Sequence, residues 1–118
     1  MTQASVTIFH NPRCSTSRDV LQMIRETGVE PEVVEYLKAG WTKTQLEALL
    51  AEAGLTPRDI LRTHEGLAAE MGLTSPDATD EAILGAMIAD PILVNRPIVR
   101  GPKGTVLARP KERVFEVL

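Results

Sequence analysis

Residues 6–28 read VTIFHNPRCSTSRDVLQMIRETG, and this stretch decides the fold because it joins a strand-like run to a helix-like run. Val6, Ile8 and His10 alternate with Thr7 and Phe9 in a short β-branched run, which an Asn-Pro pair then interrupts. This alternation predicts a buried strand over residues 5–10. The strand leads directly to Cys14, the only cysteine of the chain.

The second half of the stretch predicts a helix. Its apolar face is formed by Val20, Leu21 and Ile24. Ser15 or Thr16 is the expected N-cap, and Gly28 is the expected stop signal after the last turn. Cys14 is therefore predicted to lie at a helix N-terminus.

This position has a chemical consequence for Cys14. Free backbone N–H groups and the positive end of the helix dipole favour a thiolate over a thiol, and His10, Arg13 and Arg18 add positive or proton-donating groups nearby. A downward shift of the thiol pKa by ~2 units, or ~2.7 kcal/mol, would make the sulfur mostly anionic at neutral pH. A single cysteine is often only a small buried side chain, but the polar and cationic neighbours here favour a reactive thiol.

Composition limits the classes of protein that need to be considered. With 118 residues, 43% of them hydrophobic, the chain fits a single domain with one core, which is aliphatic because aromatic residues make up only 3%. One cysteine excludes an internal disulfide, and no apolar run is long enough to cross a membrane. No signal peptide is visible, so the expected location is the cytoplasm. The net charge of −3 argues against nucleic-acid binding, and the acidic residues near position 80 resemble a helix start more than a metal site.

The rest of the chain supplies the remaining elements. A second strand is expected within residues 29–37, centred on Val33, Val34 and Tyr36. Helices are expected after caps at Thr42 and Thr56, and another is expected to start at Thr79-Asp80-Glu81. Two strands joined by a four-residue turn and a closing helix are expected at residues 98–100, 105–108 and 110–117.

The predicted order is β-α-β, a helical segment, and then β-β-α. This is the order of the thioredoxin fold, in which the two units share one sheet. The predicted fold class is therefore α/β and thioredoxin-like, with a mixed sheet built from β-α-β and β-β-α units. Residues 1–118 are expected to form a single domain with a helical insertion at about 42–90.

Four ordered segments resemble the glutaredoxin-linked arsenate reductases, and the resemblance covers nearly the whole chain. They are residues 10–18, 61–63, 91–98 and 107–110, which read HNPRCSTSR, LRT, PILVNRPI and LARP. In such enzymes a thiolate attacks arsenate to form a covalent adduct, and glutathione and glutaredoxin supply the electrons that release arsenite. The resemblance therefore implies arsenate, glutathione and glutaredoxin as partners, with glutathione as co-substrate and no bound cofactor or metal.

The resemblance also implies a role for individual residues. Cys14 would be the nucleophile, His10 would tune its electrostatics, and Ser17 would donate a hydrogen bond to the thiolate. The side chains implied to bind the oxyanion are those of Arg62, Arg96 and Arg109. Residues of the same motifs expected to support the site are Asn11, Arg18 and Pro97, with a cis peptide bond between Arg96 and Pro97. Taken singly, each arginine is explained equally well as a surface or helix-end cation.

Two other functions remain open at this stage. Cys14 and Ser17 have the Cys-x-x-Ser spacing of a monothiol glutathione-dependent oxidoreductase. A non-catalytic regulator of the same fold, which would bind RNA polymerase, is the other alternative. Such regulators usually carry a Cys-x-x-Cys switch, which Ser17 excludes here. Because the chain has no second cysteine, reduction of an adduct on Cys14 would need thiols from outside the chain.

Overall fold

The computed structural model describes residues 5–118. Residues 1–4, which entered the argument against a signal peptide, lie outside the described residues. The chain forms two compact units, one made of the chain up to Ala39 together with Arg96–Leu118 and the other of Gly40–Asn95. A single domain with a helical insertion at about 42–90 stays a prediction. Within residues 5–118, every helix is too short or too polar to cross a membrane.

The first unit contains a four-stranded mixed sheet. Its strands are β1 (Thr7–His10), β2 (Glu32–Glu35), β3 (Ile98–Gly101) and β4 (Gly104–Leu107), arranged in the order β2-β1-β3-β4. β1 pairs in parallel with β2 and antiparallel with β3, and β3 pairs antiparallel with β4. Helix α1 (Ser15–Glu26) connects β1 to β2, α2 (Tyr36–Ala39) follows β2, and a 3₁₀ helix (Lys111–Glu116) follows β4. The predicted mixed sheet and thioredoxin-like element order are confirmed.

The core of this unit lies between one face of the sheet and the helices that follow β1 and β4. Helix α1 buries Ser17, Val20 and Ile24, which recur every three or four residues and so form one stripe. The apolar residues that complete this core are Val6, Ile8, Val99, Val106, Ala108, Val114 and Val117. They are aliphatic, as the composition predicts.

Three local predictions were wrong in this unit. The N-cap of α1 is Cys14 itself and not Ser15 or Thr16, because Cys14 keeps an extended backbone (φ −93°, ψ 121°) while its carbonyl already accepts from the N–H of Arg18. Tyr36 begins α2 instead of continuing the second strand. Its ring is buried in that helix, and a buried apolar ring at this position is also what the strand pattern predicts. The closing helix is a 3₁₀ helix.

The second unit is helical. Its elements are α3 (Lys43–Ala53), a 3₁₀ helix (Pro57–Ile60), α4 (Leu67–Glu70), α5 (Asp80–Ala89) and a second 3₁₀ helix (Pro91–Leu93). The predicted caps Thr42 and Thr56 are confirmed, and Thr79, which was predicted only to start a helix, is also an N-cap: each side chain accepts a hydrogen bond from a backbone N–H three residues later. Helix α5 packs against α3 and both 3₁₀ helices. The buried residues of α3 and α5 are Leu46, Leu49, Leu50, Ile83, Leu84 and Met87.

A short antiparallel pairing joins two distant segments of this unit. The bridge pairs Leu61 with Val94. The N–H of Arg62 donates to the carbonyl of Leu93 at 2.7 Å, and the N–H of Asn95 donates to the carbonyl of Ile60 at 2.8 Å. This pairing places Arg62 and Asn95 on neighbouring backbone segments.

We expect Gly101→Ala to destabilise the protein. A Cβ at position 101 would overlap the carbonyl oxygen of Val117, a backbone atom that cannot rotate away and that accepts a hydrogen bond from the Lys103 N–H at 3.2 Å. Overpacking of this kind costs about 1–3 kcal/mol of unfolding free energy. Urea denaturation followed by circular dichroism measures the change.

Gly85→Ala is the matched control, because no atom lies within 4 Å of a Cβ at that position in α5. Alanine inside a helix gains about 0.5–1 kcal/mol over glycine, so this variant should be at least as stable as the parent protein. Equal stability of the two variants would contradict the close approach between β3 and the C-terminal segment.

Candidate active site

The sheet brings three sequence-distant segments to one edge. β1 runs toward Cys14, and its residue Phe9 pairs with Ile98 at the start of the antiparallel β3. Ile98 in turn pairs with Leu107 at the end of β4. The residues that follow β1, precede β3 and follow β4 therefore meet at the same edge of the sheet. These positions carry Cys14, Arg96 and Arg109.

The loop before Cys14 is held by its own residues. The carbonyl of Asn11 accepts from the Cys14 N–H at 3.0 Å, and the Asn11 Oδ1 atom accepts from the Arg13 N–H at 2.9 Å. The Arg18 Nη1 atom donates to the carbonyl of Pro12 at 2.9 Å. Asn11 thus forms an Asx turn of the usual kind, while Arg18 ties the loop to the first turns of α1. Asn11 and Arg18 thus both contact the loop that leads to Cys14, and their supporting role stays a prediction.

Opposing effects act on the sulfur of Cys14, which is 9% exposed. Burial is the largest effect and raises the pKa of the Cys14 thiol. The backbone N–H of Ser17, the side chain of Arg96 and the backbone N–H of Thr16 favour the thiolate, and together they outweigh burial, so that the pKa of Cys14 lies below its ordinary value. Helix α1 has no acidic residue in its first turn, so nothing there opposes the positive end of its dipole.

His10 and Ser17 form a buried pair next to the loop. The His10 Nδ1 atom lies 2.6 Å from the Ser17 Oγ atom, which also accepts from the Asn11 N–H at 3.1 Å. Burial lowers the pKa of His10, and Arg25 and Arg18 add to this, outweighing the opposite effect of Glu35 on the neighbouring strand. His10 is therefore a neutral imidazole at neutral pH, and not the cation that the sequence allowed.

The predicted hydrogen bond from the Ser17 hydroxyl to the thiolate depends on the tautomer of His10. With the proton on Nδ1, His10 donates to Oγ, and the hydroxyl proton of Ser17 can point at the sulfur. With the proton on Nε2, Ser17 donates to His10 instead. The donor from Ser17 that favours the thiolate here is its backbone N–H, and the hydroxyl bond stays a prediction.

Two of the three predicted oxyanion-binding arginines belong to the first unit. Arg96 is buried and its side chain lowers the pKa of Cys14, and its carbonyl accepts from the Arg109 Nη1 atom at 2.9 Å. The predicted cis peptide bond between Arg96 and Pro97 is confirmed, and the Arg109–Pro110 bond is also cis, which was not predicted. Arg109 lines a cavity of about 290 Å³; its other lining residues are Thr16, Asp19, Pro110, Lys111 and Glu112.

Arg62, the third predicted arginine, belongs to the second unit. Its Nη1 atom donates to the Asn95 Oδ1 atom at 3.2 Å, and its Nε and Nη2 atoms donate to the Glu65 Oε1 atom at 3.2 and 3.0 Å. Neither Glu65 nor Asn95 was identified from the sequence. Residues 62–65 are not helical, so the three-residue spacing of Arg62 and Glu65 did not predict this ion pair.

A metal centre would need several metal-binding side chains close together. Between residues 5 and 118, histidine, cysteine and carboxylate side chains do not gather into groups of three or more that could hold a metal ion. A thiolate at Cys14 can act as a nucleophile, and guanidinium groups suit the binding of an anion.

We expect Arg96→Gln to raise the pKa of Cys14, because it removes a buried cation whose side chain favours the thiolate. The rate of alkylation by iodoacetamide rises with pH as the thiolate forms, so the midpoint of that rise gives the pKa. In the variant the midpoint should move to higher pH. Arg13→Gln is the matched control: it removes an exposed cation next to Cys14 in sequence and should leave the midpoint in place. Equal shifts in both variants would contradict the specific role of Arg96.

Comparison with known proteins assigns this chain to a family. The ArsC family profile matches residues 9–117. The chain is 54% identical over 118 residues to the arsenate reductase ArsI1 of Synechocystis sp., covering 100% of this chain and 82% of that protein. It is 44% identical over 115 residues to an arsenate reductase of Escherichia coli (strain K12), covering 98% and 82%. A solved arsenate reductase from Vibrio cholerae superposes with a TM-score of 0.93 at 36% identity, covering 99% of this chain and 100% of that one. This chain therefore belongs to the ArsC family and has its thioredoxin-like fold.

Proposed function

We propose that this protein is an arsenate reductase in which the Cys14 thiolate attacks arsenate. The observation that carries the proposal is the sulfur of Cys14, whose pKa is lowered by two backbone N–H groups and by a buried arginine. The names of the relatives support the same activity, because proteins called arsenate reductases match almost the whole chain. The reaction places the enzyme in a reducing compartment, and we propose the cytoplasm.

The first chemical step is the formation of a sulfur–arsenic bond. Arsenate carries about one to two negative charges at neutral pH, so attack by an anionic sulfur must overcome charge repulsion, which fixed cations reduce. The buried side chain of Arg96 favours the thiolate of Cys14, and Arg109 donates to the backbone carbonyl of Arg96. Arg62 is included as the third cation on the strength of the family motif. As the bond forms, one arsenate oxygen leaves as water after taking up protons.

The second part of the reaction is a reduction. One arsenate and two thiols give one arsenite, one disulfide and one water, so two electrons pass from sulfur to arsenic. Cys14 is the only cysteine of the chain and cannot form a disulfide internally. We therefore propose that glutathione attacks the adduct as co-substrate and that a glutaredoxin completes the thiol–disulfide exchange. The cycle needs no bound cofactor or metal.

The direct test is arsenate-dependent oxidation of NADPH in the presence of glutathione, glutathione reductase and a glutaredoxin. We expect turnover by the parent protein and none above background by Cys14→Ser, which keeps the size of the side chain but lacks a thiolate. Mass spectrometry of protein mixed with arsenate should show an adduct on the peptide containing Cys14. Absence of turnover by the parent protein would reject the proposal. Arsenate-independent reduction of a glutathione mixed disulfide would instead favour the monothiol oxidoreductase.

A second test concerns the guanidinium of Arg109. Arg109→Lys keeps the positive charge but loses the planar pair of donors that suits an oxyanion, so we expect kcat/KM for arsenate to fall by about 10- to 100-fold. Steady-state kinetics in the same coupled assay measures the change. Arg113→Lys is the control, since Arg113 is exposed, pairs with Glu116, and lies in the 3₁₀ helix that follows β4. Equal kinetics for the parent protein and Arg109→Lys would remove Arg109 from the oxyanion site.

A further inference from the structure

Arg62 is held on two sides by other side chains. A guanidinium has five N–H donors, and three of those of Arg62 are used: Glu65 accepts two of them and Asn95 accepts one. One donor on Nη1 and one on Nη2 remain for an anion. The side-on edge, formed by Nε and Nη2, already faces the carboxylate of Glu65.

Burial makes this ion pair unlike an ordinary surface pair. The side chain of Arg62 is 13% exposed, whereas that of Glu65 is 48% exposed. The less exposed a charge is, the less solvent screens it, so Glu65 offsets part of the charge of Arg62 where an anion would bind. Arg113 and Glu116 have the same three-residue spacing, but both partners are about half exposed, at 44% and 57%.

We propose that Glu65 weakens the affinity of the oxyanion site by competing with the bound anion for the Arg62 guanidinium. This inference rests on the proposed role of Arg62 in oxyanion binding. Glu65 touches Arg62 and not the substrate, so it acts as a positioning residue whose charge an incoming arsenate has to share or displace. The Glu65 side chain is the more exposed of the two partners, and Asn95 holds Arg62 from a second side.

The test is Glu65→Gln, which keeps the shape of the side chain and an acceptor oxygen but removes the negative charge. Two like charges that share one guanidinium repel each other, and removal of one should lower KM for arsenate by about three- to tenfold. We expect kcat to stay within about twofold, because the change affects binding of the anion and not the attacking sulfur. Glu116→Gln removes a carboxylate from the matched pair and should leave both constants unchanged.

A binding measurement without turnover accompanies the kinetics. Inorganic phosphate is the probe, and its ability to protect Cys14 from iodoacetamide gives an apparent Kd. Glu65→Gln should lower this Kd by a factor similar to the change in KM, and Arg62→Gln should raise it. In the double variant Arg62→Gln/Glu65→Gln, the effect of Glu65→Gln should disappear, because it acts through Arg62.

The outcomes separate this inference from the proposed function. A parent protein that fails to turn over arsenate rejects the function, while tighter phosphate binding by Glu65→Gln would still support the competition. If Arg62→Gln leaves phosphate protection unchanged, Arg62 lies outside the anion site and the inference fails. It also fails if Arg62→Gln weakens protection but Glu65→Gln does not strengthen it, or if Glu65→Gln lowers kcat, which would show that the carboxylate supports catalysis.

Discussion

The structure of this site depends on one balance, between the burial of the Cys14 sulfur and the hydrogen-bond donors that face it. Burial alone would keep the sulfur as a thiol, since a charge is costly where water is scarce. The N–H groups of Thr16 and Ser17 exist as free donors only because α1 begins at that point, where no preceding turn accepts from them. The start of α1 and the side chain of Arg96 together favour the thiolate and outweigh burial.

The rest of the first unit keeps this helix start in place. Ser17 belongs to the same buried stripe of α1 as Val20 and Ile24, so the packing that anchors the helix also carries the Ser17 hydroxyl to His10 on β1. The antiparallel pairing of β1 with β3 then brings Arg96 to the sulfur, and the hairpin of β3 and β4 brings Arg109 to Arg96. Changes in the core would thus alter the chemistry of Cys14 without touching it.

The features that could be predicted from the sequence are those set by residues close together in the chain. The strand before Cys14, the helix after it, the caps at Thr42 and Thr56 and the β3–β4 hairpin all follow from periodicity and turn chemistry. Tyr36 was misassigned because a buried aromatic residue fits a strand and a short helix equally well. The contact of Arg18 with the carbonyl of Pro12 and the neutral state of His10 could not be predicted, because both depend on which groups burial brings together. The family resemblance identified Arg96, but only the fold shows its effect on the pKa of Cys14.

A nucleophile that reacts with an anion and is then attacked by another thiol cannot simply be as acidic as possible. Thiolate nucleophilicity falls as the thiol pKa falls, and the most effective attacking thiol has a pKa near the ambient pH. At Cys14 the largest effect, burial, raises the pKa, and only the sum of several donors brings it below the ordinary value. This opposition between burial and hydrogen bonding holds the pKa of Cys14 below its ordinary value but limits how far it falls, so the thiolate keeps much of its nucleophilicity. A fully exposed sulfur with the same donors and cation would be a more stable anion and a poorer nucleophile.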